Sequence, residues 1–211
     1  MPQSILELIY FIVALVIAIT VHEFAHALAA YKLGDPTAKY HGRLTLNPLA
    51  HLDPIGTLMM FLVHFGWGKP VPVNPYHFKN PVKDSALVSL SGPMSNFLTA
   101  LIFSVPLKYF YAGLPSWLVV LLWIIVDLNI VLGIFNLLPF PPLDGSKIFA
   151  VFIPQKHQNA YFNFLEKSQP YFMGFILIDI FILTRLFGFS ILWLVLGNLF
   201  DLVKTLIFLG G

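Results

Sequence analysis

A mostly apolar run near the N-terminus, from Leu8 to Tyr31, carries three ionisable side chains in its second half: His22, Glu23 and His26. Only by including them does the run reach the roughly 20 residues that a helix needs to cross a bilayer. Ionisable groups at membrane depth are costly unless they are paired or bound to a metal. The run therefore predicts a membrane helix that carries a functional site.

The spacing of these residues indicates what such a site would bind. His22 and His26 are four residues apart, so a helix places both imidazoles on one face, one turn apart, with Glu23 beside them. This is the H-E-x-x-H arrangement of zinc hydrolases. The alternative is that the two histidines are structural residues with satisfied hydrogen bonds, that the glutamate is neutral, and that no metal is bound.

Composition places the whole chain in the membrane. Its residues are 58% hydrophobic and 10% charged, against about 25% charged in soluble domains. We therefore expect an integral membrane protein with the lipid bilayer around it, and 211 residues suffice for one domain, 1–211, of five to six transmembrane helices. The basic residues are explained by membrane orientation, so no nucleic-acid partner is expected. Without cysteine, a metal site would use His, Asp or Glu.

The predicted fold class is an all-α membrane protein, a polytopic helical bundle with a re-entrant or short helical segment and a small β-like loop. A catalytic core would cover about 5–150 and C-terminal helices about 170–209. The predicted spans are 5–33, 85–111, 117–138, 170–186 and 190–209. Residues 54–67 are apolar but too few to cross, which favours a re-entrant helix. Residues 37–46 look β-like, and alternation over 43–46 suggests an edge strand that could pair with an unwound substrate.

Counting basic residues gives the orientation. With five spans and a re-entrant 54–67, alternation of sides leaves only Lys108 and Arg185 on one side. The other side receives ten basic residues: Lys32, Lys39, Arg43, Lys69, Lys79, Lys83, Lys147, Lys156, Lys167 and Lys204. By the positive-inside rule the larger group is cytoplasmic and the N-terminus is outside. If 54–67 crossed, the bias would vanish, so the re-entrant reading is favoured.

The third predicted span ends in a proline-rich sequence, Asn136-Leu-Leu-Pro-Phe-Pro-Pro-Leu-Asp144-Gly145. Prolines at positions 139, 141 and 142 break the helix, so we expect irregular backbone to present Asp144. Both this end and the end of the first span face the cytoplasm in the predicted topology. The two stretches should therefore meet near the cytoplasmic leaflet.

With these two motifs, and with Ser91-Gly92-Pro93 on the helix between them, the chain resembles the site-2 proteases, the intramembrane zinc metalloproteases. The resemblance implies one Zn²⁺ per chain, with His22, His26 and Asp144 as ligands. It also implies Glu23 as catalytic base and Asn136 as an active-site residue near the substrate. The substrate would be a membrane-spanning protein cut by regulated intramembrane proteolysis, with the active site toward the cytoplasmic side of the plasma membrane. The chain would be a minimal, core-only member.

The chemistry of these residue types agrees with that implication. Two histidines and one carboxylate leave a fourth position open for water, the pattern of catalytic zinc. Zinc lowers the pKa of water toward about 7, and Glu23 would take its proton. Asn136 or Asn129 could donate an amide N–H to the oxyanion, Asn129 being equally suited to a hydrogen bond between helices.

Other readings stay open at this point. A transporter would use Asp127 and Asp179, although no inverted repeat is visible. A haem protein is disfavoured because histidines one turn apart cannot ligate opposite haem faces, and a catalytically inactive membrane-binding relative is disfavoured because every ligand is present. His51 and Asp53 could bind a second metal, but Asp53 before a proline is better suited to a turn.

Overall fold

The computed structural model describes residues 4–57 and 68–209. Its helices, in chain order, are α1 (Ile5–Lys32), α2 (Thr37–Tyr40), α3 (Pro81–Tyr109), α4 (Ser116–Asn136), α5 (Asp144–Phe149), α6 (Gln155–Ile178, continued as a π-helix over Asp179–Phe187) and α7 (Ile191–Phe208). Five of them, α1, α3, α4, α6 and α7, are long and apolar enough to cross a membrane. The predicted all-α membrane bundle is thereby confirmed. The re-entrant helix expected over 54–67 falls mostly outside the described residues and stays a prediction.

The bundle is built around α3, which contacts both α1 and α4. The face of α1 that is buried consists largely of alanines, including Ala14, Ala18 and Ala27, each fully enclosed. Because lipid tails are as apolar as leucine, helices in membranes associate through close packing of such small residues and through hydrogen bonds. Asn96 of α3 links the three helices by hydrogen bonds: its Nδ2 donates to the Ala18 carbonyl of α1 (3.1 Å) and to Asn129 Oδ1 of α4 (2.9 Å).

The end of α1 is held by a buried aspartate. Asp35 has no exposed surface and accepts hydrogen bonds from His77 Nδ1 (2.7 Å), Asn74 N (2.7 Å) and Thr37 N (3.0 Å). Burial opposes its ionisation, but these donors outweigh burial and hold the pKa of Asp35 below its ordinary value. Asp35 therefore fixes the 74–77 segment against the last turn of α1.

The β-like reading of residues 37–46 is wrong. No strand occurs in the described ranges, where one isolated antiparallel bridge joins Leu52 to Gly68. Thr37–Tyr40 forms one helical turn because Asp35 accepts from the Thr37 N–H at its start, and Gly42 then reverses the chain at φ +68°. The Arg43 side chain turns inward and is 5% exposed, so 43–46 offers no free edge strand.

One predicted helix limit also changes. The helix predicted over 170–186 begins earlier, at Gln155, so that Pro170 lies inside it. Helix α3 likewise contains two prolines, Pro93 and Pro106, and continues through both. Membrane helices tolerate proline because neighbouring helices supply hydrogen-bond partners for the backbone groups that the proline leaves unpaired.

Helix α6 contacts the rest of the bundle near Asp144 and at the start of α7. Tyr161 Oη donates to the Ser146 carbonyl of α5 (2.7 Å), and Phe172 stacks on Phe140, just beyond α4 (5.0 Å between centroids). At its far end, Asp179 accepts from the Ile191 N–H (2.7 Å), which opens α7. Helix α7 then runs back along α4. The described contacts of α6 thus lie at the end that holds Asp144.

This path changes the predicted side of one basic residue, Lys204. Lys108, at the end of α3, donates to the Leu209 carbonyl (2.7 Å), and Phe208 stacks on Trp123 near the start of α4. Lys204 therefore lies toward Lys108, and α7 runs in the direction opposite to the one that strict alternation of sides predicts. Without Lys204, the larger group of the sequence count keeps nine basic residues.

We expect Asp35→Ala to lower the free energy of unfolding by about 3 kcal/mol, because hydrogen bonds to a charged group contribute about 1.5–3 kcal/mol. Thermal unfolding in detergent micelles measures the loss. The stabilisation is present above the ordinary aspartate pKa, about 3.9. It should disappear as the pH falls through the lower pKa of the folded state, so the gap from wild type narrows in acid. Glu166→Ala, at an exposed position, is the control; equal losses in both variants would contradict the role of Asp35.

Candidate metal centre

Two imidazoles and one carboxylate converge at the buried end of the site. His22 and His26 lie one turn apart on α1, with rings edge to face and their Nε2 atoms 3.0 Å apart. Asp144 Oδ2 lies 3.1 Å from Nε2 of His22 and 3.2 Å from Nε2 of His26. Both histidines are buried, at 6% and 8% exposure. The residues that the sequence separates by 118 positions thus meet, as expected from the two motifs.

Asp144 is delivered by a short loop and a new helix. Residues 137–143 turn sharply and contain a cis Pro141-Pro142 bond, after which Asp144 is the first residue of α5. The expectation of irregular backbone holds for the approach but not for Asp144 itself. A Cβ on Gly145 would collide with the carbonyls of Leu137 and Leu138, so a glycine is needed where α5 folds back on the end of α4.

The outer nitrogens of both rings are fixed by α3. His22 Nδ1 lies 2.6 Å from Asn96 Oδ1, and His26 Nδ1 lies 2.7 Å from the Val88 carbonyl. Asn96 uses its Nδ2 to donate to α1 and α4, so its Oδ1 is an acceptor, as is any carbonyl. Both Nδ1 atoms must therefore donate. In the neutral rings, both Nε2 atoms then carry lone pairs that face each other.

Three acceptors pointing at one another form a site for a cation. Asp144 Oδ2 is buried and accepts no hydrogen bond among the described residues, although two Nε2 atoms stand about 3 Å away. Tetrahedral zinc with bonds of about 2.1 Å separates its ligands by about 3.4 Å, close to the distances observed. The donor set of two imidazoles and one carboxylate also matches catalytic zinc, and the Nδ1 bonds supply the outer-shell support that such ligands need.

Gly92 makes this convergence sterically possible. A Cβ on Gly92 would lie 2.5 Å from His26 Cε1 and 2.7 Å from His22 Cε1. Both imidazoles thus pack directly on the backbone of α3. Gly92 thus allows α1 and α3 to approach closely at the site.

Glu23 and Asn136 share one cavity with the three convergent residues. The cavity measures about 150 Å³ and is lined by His22, Glu23, His26, Asn136, Asp144 and Lys147, together with Pro70 and Val71. Glu23 Oε2 accepts from the Val71 N–H (3.1 Å), which steadies the carboxylate. Asn136 Nδ2 donates to the Leu132 carbonyl of its own helix (3.0 Å), so its amide N–H is engaged within α4.

The 69–71 segment that holds Glu23 is itself anchored by Arg43 and His51. Arg43 Nη2 donates to the Lys69 carbonyl, and Lys69 N donates to the His51 carbonyl (2.8 Å). Burial lowers the pKa of Arg43 and the Glu23 carboxylate opposes that shift, so the two charges attract. Arg43 therefore supports the segment beside Glu23 instead of pairing with a substrate strand.

The remaining candidate residues have structural partners. Asn129 accepts from Asn96, which is the interhelical bond weighed against an oxyanion role. His51 Nε2 donates to the Thr45 carbonyl (2.8 Å), and Asp53 accepts from Gly56 N (2.8 Å), as in a turn. Asp127 pairs with Lys204 (2.7 Å). Among the described residues, neither His51 nor Asp53 joins a metal-binding group.

Asp179 caps α7. It accepts from Ser190 Oγ and from the Ile191 N–H, and it is 1% exposed. A carboxylate at a helix N-terminus satisfies backbone N–H groups that have no partner within the helix. Its burial is explained by this role.

Asn96, Val88 and Arg43 are the functional neighbours that the sequence did not reveal. Asn96 stands four residues after Gly92, the same spacing that places two side chains on one helix face, so Ser91-Gly92-Pro93 contained an indirect signal. The Val88 carbonyl has no sequence signature at all. Arg43 looked like part of an alternating strand.

Comparisons with known proteins agree with the geometry. The family model of peptidase family M50 matches residues 108–178, which contain Asn136 and Asp144. The chain is 41% identical over 199 residues to the Bacillus subtilis protein named "Putative zinc metalloprotease YwhC", covering 91% of this chain and 87% of that protein.

Two more distant relatives carry similar names. The Mycobacterium tuberculosis (strain H37Rv) protein named "Putative zinc metalloprotease Rip2" is 27% identical over 166 residues, covering 77% of this chain and 62% of that protein. A zinc metalloprotease of Methanocaldococcus jannaschii is 25% identical over 157 residues, covering 74% of this chain and 38% of that protein. No match to a solved structure was found.

Replacing Gly92 by alanine should abolish metal binding, because the new methyl group would occupy the space of both imidazoles. Zinc bound per purified protein, measured by inductively coupled plasma mass spectrometry, checks this. Gly174→Ala on α6 is the control, since a Cβ there has no atom within 4 Å. Full zinc occupancy in a folded Gly92→Ala protein would contradict the described packing.

Proposed function

Because the chain belongs to peptidase family M50, the site-2 protease family, we propose that it is a zinc-dependent endopeptidase that cuts membrane-spanning protein substrates. The relatives' names support a metalloprotease and imply zinc. The substrate class and a part in regulated intramembrane proteolysis are this proposal's own. The observation that carries it is the inward-facing set of three acceptors beside Glu23.

His22, His26 and Asp144 would hold one zinc ion per chain. When bound, zinc supplies Lewis acidity and lowers the pKa of a water molecule into the neutral range. The protein's task is to keep the three ligand atoms aimed at one point. Asn96 and the Val88 carbonyl do so for the imidazoles by holding both Nδ1 protons.

Glu23 would be the general base and later the general acid. It is the next residue after His22, lines the same cavity, and has one carboxylate oxygen held by Val71 N–H. The other oxygen is available to take the proton from water as the substrate carbonyl is attacked. Glu23 would then return that proton to the leaving amine.

Asn136 would orient the substrate beside these groups. Its side chain lines the cavity, and its Nδ2 currently donates to the Leu132 carbonyl of its own helix. A rotation of the amide would let it donate to the carbonyl oxygen on which negative charge develops. Lys147, in the same cavity, adds positive charge.

The structure gives no support to the transporter or to the inactive relative. Asp127 is paired with Lys204, and Asp179 caps α7, so neither is a free carboxylate of the kind that a transporter would use. The inactive-relative alternative lacks support because Glu23 and the three acceptors stand together.

The proposal treats residues 1–211 as one domain with its site toward the cytoplasm. Nine basic residues of the sequence count would lie at the Asp144 end of the bundle, whereas Lys108 and Lys204 lie toward the opposite end. By the positive-inside rule the Asp144 end faces the cytoplasm, which fits residence in the plasma membrane.

We expect Glu23→Gln to retain zinc and lose at least about 10²-fold in cleavage rate, since general acid–base catalysis contributes about 10²–10⁴-fold. Asp144→Ala should lose both zinc and cleavage. The assay is zinc content together with cleavage of a membrane-spanning peptide by protein purified in detergent. Glu166→Ala, at an exposed position that does not line the cavity, should match wild type in both. A fully active Glu23→Gln protein would reject the mechanism.

A further inference from the structure

A second cavity adjoins the candidate site. It measures about 220 Å³ and shares His22, Glu23 and Asn136 with the first cavity. Much of its remaining wall is apolar and comes from three helices: Leu15 and Ile19 of α1, Leu132 and Phe135 of α4, and Met173 and Ile176 of α6. A molecule that reaches Glu23 therefore meets an apolar chamber.

The chamber continues the helix face that carries the catalytic group. Leu15, Ile19 and Glu23 are spaced by four residues, so they lie in one row along α1. The row leads from Glu23 back toward the N-terminal half of α1, away from Lys32. The opposite direction, past Asp144 and Lys147, is polar.

A peptide positioned for attack must place its flanking side chains in these two spaces. Its carbonyl has to lie between Glu23 and the three ligand atoms. Glu23 and His22 line both cavities, whereas His26 and Asp144 line only the first. A side chain next to that carbonyl then enters either the polar cavity or the apolar chamber. A membrane-spanning substrate offers mainly apolar side chains, and those are stabilised by leaving water or polar surroundings.

Resting on the proposed function, we infer that this chamber binds the side chain of a substrate residue adjoining the scissile bond and selects bulky apolar residues there. Met173 is the specificity-determining residue to examine. It is half-buried in the wall, whereas Ile176 is 2% exposed and packs in the cluster around Leu143. Methionine is flexible and adapts to apolar groups of different shape.

The first test compares membrane-spanning peptides that carry leucine or alanine on either side of the bond, with the cut site located by mass spectrometry. Wild type should prefer leucine at one of the two positions by at least about tenfold in kcat/KM, the usual scale for apolar pockets. Met173→Trp fills the chamber, so the leucine-to-alanine ratio should fall toward one. Leu177 lies on the same helix, is 43% exposed and does not line the chamber, so Leu177→Trp should keep the wild-type leucine-to-alanine ratio.

The second test measures binding without cleavage. In zinc-loaded Glu23→Gln protein, a photoreactive leucine placed in turn at the positions varied in the first test should crosslink, from one of them, to fragments that contain Leu15, Ile19 or Met173. The crosslink should be lost in Met173→Trp combined with Glu23→Gln and kept in the matched Leu177→Trp combination. Zinc content should equal that of wild type in all of them.

The outcomes separate the two proposals. Crosslinking into the chamber without cleavage by zinc-loaded wild type would refute the protease and leave the binding pocket supported. Cleavage with no side-chain preference at either position, or crosslinks that map to the exposed face of α6, would overturn the pocket while leaving the protease intact.

Discussion

The site depends on a repulsion between three acceptors, which a bound metal ion would relieve. His22 and His26 have their Nδ1 protons committed to Asn96 and the Val88 carbonyl, so their Nε2 lone pairs face each other at 3.0 Å. Asp144 adds a carboxylate oxygen at 3.1–3.2 Å. No proton arrangement satisfies all three with both rings neutral, whereas one divalent ion does. The fold is therefore organised to keep acceptors together, which hydrogen bonding alone would not favour.

Helix α3 supplies the rigidity that this arrangement needs. Its backbone approaches so closely at Gly92 that both imidazoles pack on it, and Asn96, one turn later, bonds to α1, α4 and His22 together. In a bilayer, close packing of small residues and such buried amide bonds replace the hydrophobic effect as the force between helices. The same contacts that hold the bundle thus aim the ligands, so stability and metal affinity should be coupled through Asn96.

The convergence of His22, His26 and Asp144 could be predicted from the sequence, whereas the path of the chain around it could not. His22, Glu23 and His26 are encoded by a short helical period, and Asp144 by a proline-rich helix end, so local rules suffice to find them. Asn96 acts through tertiary contacts that no local pattern encodes. The course of α6 is likewise a tertiary choice: hydropathy shows that it is apolar and long, not which end of the bundle it contacts. The inward turn of Arg43 depends on Asp35 and Gly42, which override the strand-like alternation of 43–46.

Zinc K-edge X-ray absorption of the purified protein tests the central claim most directly. The account predicts a first shell of two imidazole nitrogens at about 2.0–2.1 Å and oxygen at about 2.0–2.2 Å, without sulfur. Folded protein that binds no zinc when zinc is supplied, or a shell with fewer than two imidazoles, would contradict the account.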